Sequence, residues 1–456
     1  MEKSKAILLG VSEGGEMISS AAGRISTQQG TAMDIFEKSK DPKKNASLIK
    51  KVTRSGHNSV VEHTFFNFAF CDVSVVVEQF MIEFRLASFT VKSRRYVDFS
   101  DAGYYVPEFK NSENEKIYRN HMDALFSEYA SLLDAGIPKE DARFILPYCF
   151  RSNFFCSLNA RELLNVLRAM FFGRGSKFPE IYNLGKQIIE QVSPVCPGIF
   201  EGFEEKTYNI NDETDLSDFC TDVGNIKSEE LTEIVAYTKD AGKVIAKTAL
   251  MSGAGVSAAA AEKIVSSDKN VSDIIGRVMK SSRPRSLEAA QFTVRFNAIS
   301  LSSITHLVRH RMQSIIVPPL TKVDRNSFII PESVKADENA LSLYKTAFER
   351  NAGIYESLKN SGENEETLIY IIMSGNTLDV VSTMNCREYM TFFKLRTCTR
   401  AQWEIRDYAE DALFKLRKIS PEVFCHYGPS CYMDRRCPEG ALSCGRIKEM
   451  QEKFKP

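Results

Sequence analysis

The chain has 456 residues, 43% apolar and 26% charged, with 59 Lys plus Arg balanced by 59 Asp plus Glu. That length allows two or three domains, and the composition excludes collagen-like, mucin-like and wholly disordered chains. Zero net charge excludes a general electrostatic pull toward nucleic acid or anionic membrane, so any anion site must be local.

The opening MEKSKAILLGVSEGG is too briefly apolar for a secretory signal, and no run reaches the ~20 residues of a bilayer span. The expectation is a cytoplasmic protein with no membrane partner. The first half then predicts a helical start, an alternating strand from Phe65 to Phe70, a helix, a short extended piece ending at Pro107, and long helices. An acidic, weakly periodic stretch over residues 201–219, EGFEEKTYNINDETDLSDF, reads as a solvated linker. The second half predicts the same order, with its alternating strand from Phe292 to Phe296 and its extended piece ending at Pro331. The fold class expected is α+β, two tandem units (1–222 and 223–456), each a small sheet packed with long helices.

Of eleven cysteines, seven are scattered without a disulfide-like pattern, and Cys425, Cys431, Cys437 and Cys444 crowd the tail. Their spacings are not the CxxC pairs of zinc sites, so structural thiols are the first expectation, although Cys425, His426, Cys431, Cys437 and Cys444 include enough soft ligands for a tetrahedral ion and that alternative stays open. His57, Glu62 and His63 are likewise not read as metal ligands, because Glu62 recurs as Glu288 with no histidine beside it. The Gly-rich SGAGVS at 252–257 and GRGS at 173–176 follow no clear strand with dinucleotide spacing and carry little weight. Trp403 sits on an amphipathic pattern and is expected in the core.

The halves share landmarks at one offset. Glu62 answers Glu288, Ser88 answers Ser314, Asn159 answers Asn385 and Arg161 answers Arg387, each separated by 226. Against that register the chemistry is lopsided. Over Ile299 to Ile315 the sequence predicts a helix whose second face carries His306, Arg309, His310 and Gln313, a face suited to phosphate or pyrophosphate oxygens; the first half has Phe80, Glu83, Phe84 and Ala87 there. Conversely Ser93, Arg94, Arg95 and Tyr96 offer a hydroxyl, backbone N–H groups and cations to a phosphate, whereas the second half has Pro318 and Pro319, which lack N–H donors. Arg396 faces Met170 at the same offset, and Arg143 faces Ile369. The losses are complementary.

These residues resemble the flavin-dependent thymidylate synthases, the ThyX family, whose signature is here split between RHRMQS at 309–314 and SFTVKSRRYV at 88–97. GHNSVVEH at 56–63, ARFILP at 142–147, NARELLN at 159–165 and LRTCTRAQWEIR at 395–406 are also family-like, as is the ending GPSCYMDRRCPEGALSCG. The family's Asn and Glu before the second Ser are Thr90 and Val91 in one half, Ile316 and Val317 in the other. The resemblance implies FAD as cofactor, NADPH and methylenetetrahydrofolate as cosubstrates, and reductive methylation of dUMP to dTMP. It also implies tetrameric assembly with shared sites, hence for this duplicated chain a homodimer of four units. Carried over by position, His306, Arg309, Ser93, Arg94, Arg95, Arg143 and Arg396 would bind dUMP. His57, Ser59, Arg309, His310, Arg311, Asn159, Arg161 and Asn165 would bind FAD. Arg396 would be catalytic, stabilising negative charge on the uracil ring without a protein nucleophile. One composite site per chain is expected, with the reciprocal set Glu83, Phe84, Met170, Pro319, Thr321 and Ile369 dead. Two other readings stay open: a catalytically silent flavin- or nucleotide-binding relative, and a flavoenzyme modifying another pyrimidine nucleotide.

Overall fold

The structure is a computed structural model that describes residues 4–203, 216, 219 and 228–456. Most of the linker expected over residues 201–219, and the boundary at 222 and 223, lie outside the described residues.

The first repeat runs β1 (Lys5–Val11), α1 (Glu16–Ile25), α2 (Ala32–Lys38), α3 (Pro42–Arg54), β2 (Phe65–Ser74), α4 (Val75–Ile82), β3 (Ser88–Val91), α5 (Ser112–Asp134), α6 (Lys139–Ala142), β4 (Arg151–Asn159), α7 (Ala160–Phe171) and α8 (Pro179–Val192). The second runs β5 (Thr232–Tyr237), α9 (Ala241–Gly253), α10 (Ala258–Val265), α11 (Asp268–Met279), β6 (Gln291–Ser300), α12 (Leu301–Leu307), β7 (Ser314–Ile316) and β8 (Asp324–Phe328). It continues through α13 (Glu332–Lys335), α14 (Glu338–Asn360), α15 (Glu365–Leu368), β9 (Asn376–Asn385), α16 (Cys386–Arg396) and α17 (Trp403–Ile419). The tail holds short helices α18 (Pro421–Phe424), α19 (Ser430–Met433) and α20 (Ile447–Lys453). The α+β class and tandem arrangement hold, with one addition: a strand precedes the helical start of each repeat. Trp403 is half-buried, opening α17 rather than filling its core face.

The sheets are antiparallel, in the orders β1-β2-β4-β3 and β5-β6-β9-β7, with β8 also pairing β9. In β2 the buried Phe66, Phe68 and Phe70 alternate with outward residues, as Phe292, Val294 and Phe296 do in β6. Both strands break register at one place, between Phe70 and Val73 and between Phe296 and Ile299. There Asp72 (φ 52°) and Ala298 (φ 47°) take the left-handed conformation. A bulge retained in both copies, 226 residues apart, bends each strand into the helix that follows.

The chain folds as two compact units: Met1–Asp222 with Ile330–Asn376, and Val223–Ile329 with Thr377–Pro456. Repeat and unit therefore divide the chain differently, because α13 to α15 of the second repeat pack into the first unit. The seam within that unit is self-complementary. Tyr148 N donates to Ile372 O (2.7 Å) and Ser374 N to Leu146 O (2.9 Å); Cys149 N donates to Tyr370 O (3.1 Å) and Gly375 N to Phe144 O (2.7 Å). Shifting both residues of either bond by 226 in opposite senses gives its companion, the signature of an isologous contact built inside one chain. Beside it α5 packs on α14, and here the symmetry is broken. Arg350 forks onto Glu128 (2.7 and 2.6 Å) and donates from Nε to His121 Nδ1 (3.3 Å), while His121 Nε2 meets Asn351 Oδ1 (2.9 Å). The counterparts, Ala124, Ile354, Ala347 and Leu125, carry no such groups.

Candidate active site

In the second unit the RHR segment is fixed at both ends. Ser300 caps α12, its Oγ accepting from Ser303 N (3.1 Å), and the buried Glu404 holds Ser300 N (2.7 Å), Ser300 Oγ (2.5 Å) and Ser303 Oγ (2.7 Å). The helix predicted to Ile315 stops at Leu307. The Gln313 amide donates to Leu307 O (2.5 Å) and accepts from Ser382 Oγ (2.7 Å), and Ser314 pairs with Thr383. Strand pairing and an amide that satisfies a terminal carbonyl outweigh the helical spacing of the apolar residues. Arg309, His310 and Arg311 thus sit on a turn, with both arginines exposed and His310 buried.

Arg396, the last residue of α16, donates from Nε to His310 Nε2 (3.0 Å) and from Nη2 to His306 O (2.9 Å). The other ring nitrogen, Nδ1, meets Glu388 Oε1 at 3.1 Å, and Phe392 stands edge-on to the ring at 5.1 Å. Burial pushes the His310 pKa below the usual histidine range, Arg396 adds to that, and the Glu388 hydrogen bond opposes it. The network accordingly assigns a neutral ring with its proton on Nδ1. Asn385 caps α16 by accepting from Glu388 N (2.9 Å), and Arg387 pairs with Glu288 (2.5 Å).

In the first unit Asn159 caps α7 in the same way, accepting from Glu162 N (2.9 Å), and Arg161 pairs with Glu62 (2.5 Å). Three of the four landmark pairs that reveal the duplication are thus caps and ion pairs that hold each repeat together, and the fourth, Ser88 and Ser314, opens β3 and β7. His57 and Ser59 lie exposed at a 3₁₀ turn, Asn58–His63, that packs against α7, where Arg161 and Asn165 are exposed. Asn165 Nδ2 donates to Glu162 Oε2 (3.1 Å).

The Ser93 loop divides its arginines. Arg94 is 5% exposed and pairs with Glu78, which also accepts from Ser152 Oγ (2.5 Å); its guanidinium stacks on Phe150 at 5.2 Å. A cation so enclosed serves the core. Ser93 and Arg95 remain near the surface, with Arg95 N donating to Ser93 Oγ (3.3 Å) and Arg95 Nε paired with Glu140. Glu140 O also accepts from Arg143 Nε (3.0 Å), so one residue of α6 joins Arg95 to Arg143. Sequence reasoning missed both Glu140 and Glu388. Glu388 carried a signal, since it recurs as Glu162 after each repeated Asn and Arg.

The positions that correspond to the cationic residues at the 226-residue offset are filled differently. Glu83, counterpart of Arg309, accepts from Gln79 Nε2 (2.8 Å) and pairs with Arg174, whose guanidinium lies over Phe80 (5.1 Å) and Phe84 (5.7 Å). Met170 and Ile369 are buried. Pro319 opens a 3₁₀ turn at Leu320–Lys322 that holds Thr321. A separate cavity of about 390 Å³ in the second unit is lined by Arg295, Lys322, Asp324 and Asp379 among others, and none of the expected site residues borders it. Among the described residues all cysteines are free, no group of three His, Cys, Asp or Glu is placed to hold a metal, and no helix is long and apolar enough to cross a membrane.

Comparison with known proteins adds the following. A family model described as "Thymidylate synthase complementing protein" matches residues 8–198 and again 233–422. A flavin-dependent thymidylate synthase of Clostridium tetani is 31% identical over 238 residues, covering 48% of this chain and 95% of that one. One of Geobacter sulfurreducens is 32% identical, covering 42% and 84% respectively. Among solved structures, a UMP/dUMP methylase PolB from Streptomyces cacaoi bound with 5-Br dUMP is 24% identical, with a TM-score of 0.39, over 45% of this chain and 97% of that one. With the family domain matched twice, over most of its length, the chain belongs to the thymidylate synthase complementing protein family, that of the flavin-dependent thymidylate synthases.

Proposed function

We propose that this protein transfers a one-carbon unit from methylenetetrahydrofolate to carbon 5 of dUMP and reduces it to a methyl group with electrons from NADPH, giving dTMP, at one composite site per chain. The supporting observation is the complementary loss across the repeats. Arg309, His310 and Arg396 correspond at the repeat offset to Glu83, Phe84 and Met170, while Ser93, Arg95 and Arg143 correspond to Pro319, Thr321 and Ile369. Arg174 pairs with Glu83 on the losing side, so that copy neutralises itself.

In this reading Ser93 and Arg95 receive the nucleotide, while Arg94 and Arg143, both buried, support the loop, Arg143 by holding Glu140 O (3.0 Å). His306 and Arg309 also face dUMP. Arg396, pinned through two of its nitrogens, offers a fixed positive charge to the uracil ring as it becomes anionic, which removes the need for a nucleophilic side chain. The donor set fits FAD: exposed guanidiniums at Arg309 and Arg311 suit a pyrophosphate, and exposed His57, Ser59, Arg161 and Asn165 add polar contacts beside the Asn159 cap. His310, with both ring nitrogens engaged inside its own unit, orients the turn. When bound and reduced, the flavin supplies the hydride that completes the methyl group. We further propose a homodimer.

Titration with dUMP tests the site count: one nucleotide per chain is expected, and two would overturn the composite site. Labelled methylenetetrahydrofolate with dUMP and NADPH should give labelled dTMP. Val91, standing where the family has a glutamate, favours a second reading, a silent flavin-binding relative. That protein would be yellow but would yield no methylated product.

A further inference from the structure

Glu388 belongs to no set of ligand-binding residues above, yet it is at once acidic, buried and aimed at a site residue. It is 8% exposed, its backbone N–H is held by the Asn385 cap (2.9 Å), and its carboxylate meets His310 Nδ1 (3.1 Å). We infer that Glu388 is a positioning residue for Arg396, acting through His310: by accepting a hydrogen bond from Nδ1–H it keeps the proton there and leaves Nε2 as the acceptor that locks the Arg396 Nε–H. The inference rests on the proposed role of Arg396 at the pyrimidine.

The duplication supplies an internal control. Glu162 stands at the same position 226 residues earlier, with the same cap at the same 2.9 Å. There Phe84 replaces His310 and Met170 replaces Arg396, and the carboxylate accepts from Asn165 instead (3.1 Å). The shared cap explains why each helix starts where it does, and so accounts for the backbone but not for the side chain. Only the copy that keeps the arginine builds the Glu–His–Arg chain. A carboxylate behind an imidazole fixes its tautomer and raises the basicity of the far nitrogen, the usual task of a residue one shell removed from the reacting groups.

The test uses the full-length holoenzyme with Glu388→Gln and Glu388→Leu. The Gln oxygen can still accept a hydrogen bond from Nδ1–H, so E388Q should keep kcat within about threefold of wild type. E388L should lower kcat by roughly 10–100-fold, with the dUMP dissociation constant changed by less than about threefold. Independently of turnover, ¹⁵N NMR of the six histidines, with His310 assigned by H310Q, should show an Nδ1–H tautomer in wild type and E388Q that is lost in E388L. An Nε2–H tautomer in wild type, unchanged kcat in E388L, or equal damage from both variants would each overturn the inference. If E388L does not fold, the wild-type tautomer and the E388Q rate still decide. A wild-type enzyme that does not methylate dUMP defeats the proposed function, while the tautomer measurement continues to report on the Glu–His–Arg chain.

Discussion

Pro147 and Met373 pair with each other as an antiparallel bridge, and they are also each other's counterparts, 226 residues apart. A contact in which a position meets its own copy is what a symmetric dimer makes at its axis, and here both partners lie in one chain. Around it Ile330–Asn376 becomes part of the first unit. If the chain is cut between Phe203 and Ser228 and the pieces are co-expressed, they should co-elute on size exclusion. Independent migration would mean that the seam does not hold the segment.

Arg396→Ala should lower kcat by about 10²–10³-fold, the cost of removing a fixed donor from a developing anion. Its counterpart Met170 is fully buried, so Met170→Ala should cost about 2–5 kcal/mol of stability while leaving turnover per folded molecule unchanged. Steady-state rates paired with denaturant melts separate the two. Similar kcat losses in both would refute the assignment of the live and dead copies.

The two neighbouring arginines of the Ser93 loop should behave as different kinds of residue. Arg94→Ala leaves Glu78 buried without its cation and should cost about 3–5 kcal/mol in folding. Arg95→Ala should leave the melt nearly unchanged and raise the KM for dUMP roughly tenfold or more, as expected for a lost phosphate contact. Calorimetry and a KM series check both.

Acid should weaken the α5–α14 contact. Burial drops the His121 pKa from the usual 6.5 to about 4, so the unfolded chain binds a proton that the folded chain refuses. Stability therefore falls as pH is lowered from about 6.5 toward 4, by about 3 kcal/mol from this group, with no contribution above that window. Urea unfolding of wild type and His121→Gln across this range should show the difference shrinking in the variant. Parallel curves would contradict the buried neutral ring.

The repeat was legible because matching landmarks are local signals: an Asn cap, the Arg that follows it and the Glu it pairs with recur in register whatever surrounds them. The alternation of Phe66, Phe68 and Phe70 likewise reads directly as a half-buried strand. What stayed hidden depends on distant partners. Apolar spacing extends α12 to Ile315, yet pairing of Ser314 with Thr383 and the Gln313 bond to Leu307 end it at Leu307. Arg94 and Arg95 look alike in sequence, and only Glu78 and Glu140 tell them apart. The GRGS stretch, dismissed as a dinucleotide loop, supplies Arg174, which pairs with the Glu83 carboxylate.

The self-paired seam carries a hazard for anyone producing this protein. The stretch from Phe144 to Cys149 accepts Tyr370 to Gly375 mainly through backbone atoms, joined by Ser374 Oγ donating to Leu146 O (2.9 Å), and none of these bonds marks the two segments as belonging to the same molecule. Side-chain contacts such as the Arg350–Glu128 fork, the His121–Asn351 contact and the Asn114–Glu363 bond (2.6 Å) add specificity to that docking, but a second copy of the chain offers the same groups. Refolding from denaturant at high concentration therefore invites neighbouring molecules to trade this segment, and dilution favours each chain closing on its own segment over swapped chains.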